Sequence, residues 1–224
     1  MPAEPSLPSS PTLRAVVFDV GEVLINETTE YGTWADWLGV PRHTFSAVFG
    51  AVIASGEDYQ ETFQRFRPGF DLATERRRRE QAGLPEHFGA HDLYPDVRPC
   101  LEALKAQGFI VGVAGNQTAR AGSLLRGLGL PVDFIAVSEE WGVEKPAPAF
   151  FDKIISELGL ASEIAYVGDR IDNDVRPALA AGMIAVLLRR GPWGYLHAEH
   201  PDAQRAHLRI DSLTELPALL DRQH

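Results

Sequence analysis

Five short apolar stretches alternate with helix-like stretches along most of the chain. Each is a continuous run rich in aliphatic and β-branched residues, the pattern of parallel strands that are buried on both faces. These predicted strands run from Ala15 to Phe18, Phe109 to Ala114, Phe134 to Val137, Ile164 to Val167 and Ile184 to Leu188.

The segments between and after these strands have the periodicity of amphipathic helices, and several end at a glycine. Strands that alternate with helices at this spacing predict an α/β fold with a doubly wound parallel sheet. The predicted helices cover Asp96 to Gln107, Ala119 to Leu128, Pro148 to Leu158, Val175 to Ala181 and Leu213 to Leu220.

Residues 28–93 have a different pattern, with helical periodicity and no strand-like alternation. Pro41 is a typical first residue for one helix and Gly56 a typical stop, and further helices are predicted over 59–66 and 72–82. The apolar stripe of the first consists of Phe45, Val48, Phe49, Val52 and Ile53. We therefore predict an α/β core domain from residues 13–27 and 94–224, an all-helical domain over 28–93, and a flexible tail over 1–12.

Four consecutive arginines, residues 76–79, lie in the last helix of the helical domain. Glu75 and Glu80 are four residues from Arg79 and Arg76, which is ion-pairing distance on a helix. We interpret the run as a solvated, salt-bridged face rather than a phosphate or nucleic-acid site.

Charge and cysteine content narrow the classes of partner and compartment. The chain has 31 acidic and 21 basic residues, a net charge of −10, which argues against nucleic acid and anionic membranes as partners. No apolar run approaches the ~18 residues of a membrane span, and the tail lacks the features of a signal peptide. Cys100 is the only cysteine, so we expect a cytoplasmic protein with this thiol buried on a helix. Monomer and homodimer remain open.

Polar residues follow three of the predicted strands where each strand ends. Asp19 follows the first, Gly115 and Asn116 follow the second, and Asp169 follows the fourth. Taken alone, Asp19 with Gly21 two residues later is also typical of a turn. Carboxyl ends of parallel strands share one edge of the sheet, where α/β proteins place their ligand sites, so we expect these residues to meet.

Two further residues complete this set. Asp174 lies five residues after Asp169, and Lys145 precedes a proline and a predicted helix. The chain has three lysines against eighteen arginines, so a lysine here is unlike the usual surface cation. Clustered carboxylates call for a divalent cation such as Mg²⁺, and the ammonium group can hold a phosphate. The set predicts phosphoryl chemistry with a carboxylate nucleophile and an aspartyl-phosphate intermediate.

From about Leu13 to Leu220 the sequence resembles the haloacid dehalogenase superfamily. Four segments in order resemble its motifs: Phe18-Asp19-Val20-Gly21-Glu22-Val23-Leu24, Ala114-Gly115-Asn116, Gly142-Val143-Glu144-Lys145-Pro146, and Val167-Gly168-Asp169 through Asp174. The resemblance implies a Rossmann-like core, a helical cap of the family's first type, Mg²⁺, and hydrolysis of a small phosphorylated metabolite. It also implies the roles of single residues: nucleophile Asp19, charge clamp Lys145, and metal ligands Asp19, Asp169, Asp174 and the Gly21 carbonyl.

Two positions depart from the family pattern. Gly21 stands where family phosphatases usually carry an aspartate that protonates the leaving oxygen, and Gly115 stands where a Ser or Thr usually bonds the phosphate. Backbone N–H groups of Gly115 and Asn116 are candidate phosphate donors instead. Glu22 is a candidate substitute acid, although we expect its carboxylate on the solvent side of the turn. His87, His91 and a water molecule are further candidates.

Two alternative functions remain open. A 2-haloacid dehalogenase would not need the missing acid, but dehalogenases of this family work without the metal that Asp169 and Asp174 suggest. A catalytically silent binding protein is the other alternative, because fold alone does not fix function. Residues 28–93 contain no lysine, which argues strongly against phosphonate cleavage by a cap lysine.

The substrate is not predicted. Tyr31, Trp34 and Trp37 have the spacing of a core-facing helical stripe, and could instead face the site. Residues 191–195, rich in Gly and aromatic residues, are predicted to form a loop after the last strand.

Overall fold

The computed structural model describes residues 13–159 and 161–220 of the chain. The tail predicted over residues 1–12 lies outside the described residues. Among those described, none of the helices is long and apolar enough to span a bilayer.

A six-stranded sheet in the order β3-β2-β1-β4-β5-β6, with every neighbouring pair parallel, confirms the predicted α/β fold class. Its strands are β1 (Ala15–Phe18), β2 (Ile110–Gly115), β3 (Phe134–Val137), β4 (Ile164–Gly168), β5 (Ile184–Leu188) and β6 (Leu208–Ile210). The five predicted strands are all present. Strand β6 was not predicted, because three residues are too short to show a period.

The α-helices of the described residues are numbered along the chain. They are α1 (Thr28–Leu38), α2 (Arg42–Ala54), α3 (Glu61–Phe66), α4 (Leu72–Gln81), α5 (Val97–Ala106), α6 (Ala119–Gly127), α7 (Ser138–Trp141), α8 (Pro148–Leu158), α9 (Arg176–Ala180), α10 (Gly191–His197) and α11 (Leu216–Leu219). Short 3₁₀ turns cover Ala90–Asp92, Ala161–Glu163, Pro201–Arg205 and Leu213–Glu215, and a π-helical turn covers Ile171–Val175.

Contacts divide the described residues into two compact units. The core unit holds the residues up to Ile25 and from Leu93 onward, and the helical unit is Asn26–Asp92. These limits lie within two residues of the predicted domain boundaries. The core unit contains the whole sheet, whose central strand β1 is buried at every residue. Cys100 is buried on α5, as expected.

The register of the sheet aligns the ends of the three central strands. Phe18, the last residue of β1, is paired with Val113 of β2 on one side and Val167 of β4 on the other. The amide of Asp19 continues this ladder by donating a hydrogen bond to the Val167 carbonyl (2.9 Å). The chain segments that leave β1, β2 and β4 therefore start side by side.

The helical unit has an aromatic core of its own. Trp34 packs edge-on against Phe63 and Phe70, with ring centroids 5.5 and 5.8 Å apart, which supports the prediction of a core-facing stripe for this residue. Tyr31 lies against Phe49 at 4.6 Å and Trp37 donates to Glu75, and both rings stay half-buried.

The interpretation of the arginine run as a solvated face was wrong for Arg79. Arg79 is buried, with its guanidinium 4.0 Å from the Trp34 ring centroid, and it donates to the Thr33 hydroxyl at 2.8 Å. Its ion pair is with Glu30 at 3.6 Å, and Glu75 pairs with Arg78 instead. The pattern of polar and apolar residues within one helix does not reveal that a neighbouring helix covers part of its polar surface.

Two local predictions in the core unit also need correction. Residues 191–195 begin α10 instead of forming a loop, because Pro192 suits the first turn of a helix and Trp193 is buried beneath Arg170. The predicted helix from Val175 starts four residues earlier as the π-helical turn.

Candidate active site

Lys145 forms the centre of a buried cluster at the end of the sheet. Its ammonium Nζ lies 2.8 Å from Asp19 Oδ1 and 2.6 Å from Asp174 Oδ1. Only 4% of the Lys145 surface is exposed, and its ammonium sits 5.4 Å from the centroid of the Tyr166 ring. The Lys145 ammonium is thus shared by two carboxylates whose residues are 155 positions apart in the sequence.

The backbone of Lys145 is fixed by the side chain of Asn116. The Lys145 amide donates to Asn116 Oδ1 at 2.7 Å, and Asn116 Nδ2 donates to the Lys145 carbonyl at 2.9 Å. This reciprocal pair uses both ends of the carboxamide. Asn116 therefore holds the loop that carries Lys145 against the end of β2.

Asp174 is positioned by the π-helical turn after β4. Its Oδ2 accepts the Arg170 amide at 2.9 Å while its Oδ1 faces Lys145. A Cβ at Gly168 would lie 2.2–2.4 Å from atoms of the Asp174 side chain, so only glycine fits there. The glycine before Asp169 is thus explained by packing against Asp174.

The charges of this cluster are strongly coupled. Burial alone would lower the pKa of Lys145, but the carboxylates of Asp174 and Asp19 outweigh it and hold that pKa well above its usual range. Burial, together with the neighbouring Asp174 and Asp19 carboxylates, raises the pKa of Asp169 well above its usual range. Burial also raises the pKa of Asp174 to about 6, although Lys145 opposes the shift.

The three aspartates fit a divalent cation. Asp19, Asp169 and Asp174 are all buried, and each offers a carboxylate oxygen within 4.8 Å of the others. Asp169 Oδ2 is buried and has no hydrogen-bond partner within the described part of the chain. A buried carboxylate oxygen without a donor is costly unless something else neutralises it. A hard cation with oxygen ligands, such as Mg²⁺, suits this donor set.

Glu22, the residue after Gly21, was expected to place its carboxylate on the solvent side of the turn, and this was wrong. Glu22 is 7% exposed, not solvated, and its carboxylate accepts a hydrogen bond from the Tyr94 hydroxyl. Its φ of 55° is the one positive φ of a non-glycine residue among the described residues. Gly191 leaves the room for it, since a Cβ there would lie 2.5 Å from Glu22 Cβ. The direction of the Gly21 carbonyl stays a prediction.

Sequence reasoning missed three residues around this site. Tyr166 is buried in β4 and its hydroxyl donates to the Ala114 carbonyl at 2.8 Å, next to Gly115. It is the one polar side chain in an otherwise apolar strand, and this pattern in the sequence could have identified it.

No pattern in the sequence points to Tyr94 or Arg190. The Arg190 guanidinium lies 4.1 Å from the Tyr94 ring centroid, donates to the Val23 carbonyl and pairs with Asp96.

A family model described as haloacid dehalogenase-like hydrolase matches residues 13–182. The match covers most of the chain and includes every residue of the cluster. The chain therefore belongs to the haloacid dehalogenase-like hydrolase family, as its motifs indicated.

Several curated relatives match over part of their length. The chain is 41% identical to glyceraldehyde 3-phosphate phosphatase of Methanopyrus kandleri over 113 residues, 49% of this chain and 48% of that protein. It is 38% identical to ribulose-1,5-bisphosphate 5-phosphatase of Halopiger xanaduensis over 170 residues, 70% of this chain and 69% of that protein. The chain spans about half the length of the first curated relatives it matches.

The fold has solved counterparts. A dehalogenase crystallised with an intermediate complex superposes with a TM-score of 0.66 at 19% identity, over 96% of this chain and 100% of that one. At this identity the likeness shows the fold alone.

Proposed function

We propose that the chain is a Mg²⁺-dependent phosphatase that hydrolyses a small phosphorylated metabolite through an aspartyl-phosphate on Asp19. The observation that carries the proposal is the pairing of Lys145 with both Asp19 and Asp174, together with the buried Asp169 oxygen that has no hydrogen-bond partner among the described residues. The phosphatase names of the relatives support it.

In this mechanism an Asp19 carboxylate oxygen attacks the phosphorus, and the leaving oxygen departs with the bonding electrons. Water then attacks the same phosphorus, releases inorganic phosphate and restores Asp19. Lys145 is charged when the substrate binds, because the carboxylates of Asp174 and Asp19 hold its pKa well above its usual range. It orients the nucleophile and offsets the negative charge of the transferring group.

Asp169, Asp174, Asp19 and the Gly21 carbonyl would hold Mg²⁺. The bound ion supplies Lewis-acid stabilisation of charge on the phosphoryl oxygens. Backbone N–H groups of Gly115 and Asn116 would bond the phosphate, since the Asn116 side chain is already committed to Lys145. We assign the helical unit, Asn26–Asp92, the role of the family's cap.

Within the described part of the core unit, neither Gly21 nor Glu22 is available to donate a proton to the leaving oxygen. Gly21 has no side chain, and the carboxylate of Glu22 is bonded to Tyr94. A missing general acid typically costs about 10²–10⁴ in rate. We therefore infer a preference for substrates whose leaving group needs no proton, such as acyl or aryl phosphates.

The test is phosphate release from a panel of acyl, aryl and alkyl phosphates, with Mg²⁺ and with EDTA. Wild-type protein should release phosphate only with Mg²⁺, and Asp19→Asn should not. Equal turnover of alkyl and aryl phosphates would contradict the leaving-group preference.

The same preparation separates the alternatives. Metal-independent halide release from 2-haloacids would overturn the proposal in favour of a dehalogenase. Absence of both activities in wild-type protein would favour a binding protein.

A further inference from the structure

Gly115, the last residue of β2, lies directly against the carboxylate of Asp19. A Cβ placed on Gly115 would be 2.5 Å from Asp19 Oδ1 and 3.1 Å from Val20 Cγ2. Carbon–oxygen contacts normally lie near ~3.3–3.6 Å. A side chain of any size would thus have to displace the Asp19 carboxylate or the end of the strand.

We propose that Gly115 is a positioning residue for Asp19, and that its lack of a side chain is what places the nucleophile on Lys145. The proposal rests on the proposed function for its kinetic consequence, and on the geometry alone for its structural one. The oxygen that meets the added Cβ, Asp19 Oδ1, is the oxygen that Lys145 Nζ contacts at 2.8 Å.

Lys145 cannot follow a displaced carboxylate. Its ammonium is held by Asp174 Oδ1 at 2.6 Å, and its backbone is clasped at both the amide and the carbonyl by Asn116. A displacement of Oδ1 by the added Cβ therefore disturbs the contact between Asp19 and Lys145.

The end of β2 cannot retreat either. Gly115 is paired with Val137 of β3, and the carbonyl of the preceding Ala114 accepts the Tyr166 hydroxyl at 2.8 Å. The next residue, Asn116, is the one that clasps Lys145. The strain of an added Cβ must then fall on the Asp19 side chain.

The requirement for glycine at this position is steric. Gly115 has no positive φ, so alanine or serine can adopt its backbone conformation. This distinguishes it from glycines such as Gly39, which have a positive φ and open space around them.

The geometry and the family pattern make opposite predictions for one substitution. If Gly115 were only a lost phosphate ligand, Gly115→Ser would restore the usual hydroxyl and increase activity. If Gly115 positions Asp19, Gly115→Ser and Gly115→Ala should both lower kcat, by ~100-fold for a displacement of about 1 Å.

The control is Gly127, an exposed glycine in the last position of α6. A Cβ there meets nothing within 4 Å and φ is not positive. Gly127→Ala and Gly127→Ser should keep wild-type kcat and KM with p-nitrophenyl phosphate and Mg²⁺. The Gly115 variants should lose kcat while KM changes little.

A melting experiment tests the contact without relying on activity. Gly115→Ala should lower the Tm of wild-type protein by several degrees, at about 2–4 °C per kcal/mol for a chain of this size. In an Asp19→Ala background the carboxylate is gone, so the same substitution should lower Tm much less. If Gly115→Ala does not fold in the wild-type background, it should fold in Asp19→Ala.

The outcomes distinguish a failure of the proposed function from a failure of the positioning role of Gly115. No phosphate release by wild-type protein, with the Tm coupling present, overturns the proposed function but not the positioning contact. Equal Tm losses in the two backgrounds, or Gly115→Ser turning over faster than wild type, overturns the positioning role.

Discussion

Asn116 and Lys145 hold each other through two hydrogen bonds, one to the amide and one to the carbonyl of the same lysine. The carboxamide closes on the backbone of Lys145, while the ammonium at the far end of that residue pairs with Asp19 and Asp174. Asn116, which is expected to contact the substrate through its backbone, therefore also fixes the loop that carries the Lys145 ammonium.

Replacing Asn116 tests this relationship. Asn116→Ala leaves a partly buried amide and carbonyl unpaired, which typically costs about 1–3 kcal/mol of unfolding free energy. We expect kcat to fall ~10- to 100-fold through misplacement of Lys145. Gln117→Ala is the control, because Gln117 is bonded through its backbone. Equal losses for the two variants, measured by steady-state kinetics and chemical denaturation, would count against the prediction.

The carboxylate cluster predicts opposite pH effects with and without Mg²⁺. The pKa of Asp174 is raised from 3.8 to about 6, so between these values the folded protein retains a proton that the unfolded chain has released. Metal-free protein should therefore lose stability as pH rises from about 4 to about 6. Mg²⁺ needs the deprotonated carboxylates, so its stabilisation should be larger at pH 7.5 than at pH 5.

Differential scanning calorimetry at pH 5, 6 and 7.5, with Mg²⁺ and with EDTA, measures both effects. Asp174→Asn removes the group that titrates near pH 6, so the loss of metal-free stability between pH 5 and pH 6 should shrink, while the contribution of Asp169, whose pKa is also raised, remains. A Mg²⁺-induced Tm increase independent of pH would contradict the assignment of Asp174 to the metal.

Restoring an acid at position 21 should broaden the substrate range. Gly21→Asp is expected to raise kcat for alkyl phosphates ~10-fold or more, because a general acid typically contributes about 10²–10⁴. Aryl phosphates should gain less, since their leaving oxygen needs no proton. Gly21→Asn has nearly the same shape without a proton to give, and an equal gain for it would refute the acid explanation.

The bond between Tyr94 and Glu22 should be energetically coupled to the strained turn. Tyr94→Phe removes only the hydroxyl and leaves the buried Glu22 carboxylate short of a donor, at about 1–3 kcal/mol. Glu22→Gly removes that carboxylate and relieves a positive φ. The cost of Tyr94→Phe should therefore shrink in the Glu22→Gly background, as measured by urea denaturation. Additive costs would show that the two residues act separately.

The sequence predicted the parts of this fold that repeat a short period. Parallel strands and the residues that end them were found because buried strands are continuous apolar runs, and because Asp19 and Asp169 break two such runs abruptly. Contacts between distant segments escaped prediction. The burial of Arg79 depends on a neighbouring helix, and the short strand β6 and the position of Glu22 depend on partners far away in the chain.

The site shows the same division. Spacing identified Lys145 and Asp174, but not the clasp by Asn116 or the contact between Gly115 and Asp19, which depend on the register of β1 against β2. A glycine in a sequence does not reveal whether its missing side chain is a loss or a requirement.

Cys100 is a natural probe for opening of the core unit. The thiol is buried on α5, and burial raises its pKa to about 12. It is the only cysteine in the sequence, so every molecule that reacts with a thiol reagent must first have exposed α5. The rate at which Cys100 is labelled under native conditions therefore reports only on opening of the core unit. Openings confined to Asn26–Asp92 would go unrecorded, which makes the two units distinguishable without adding a probe.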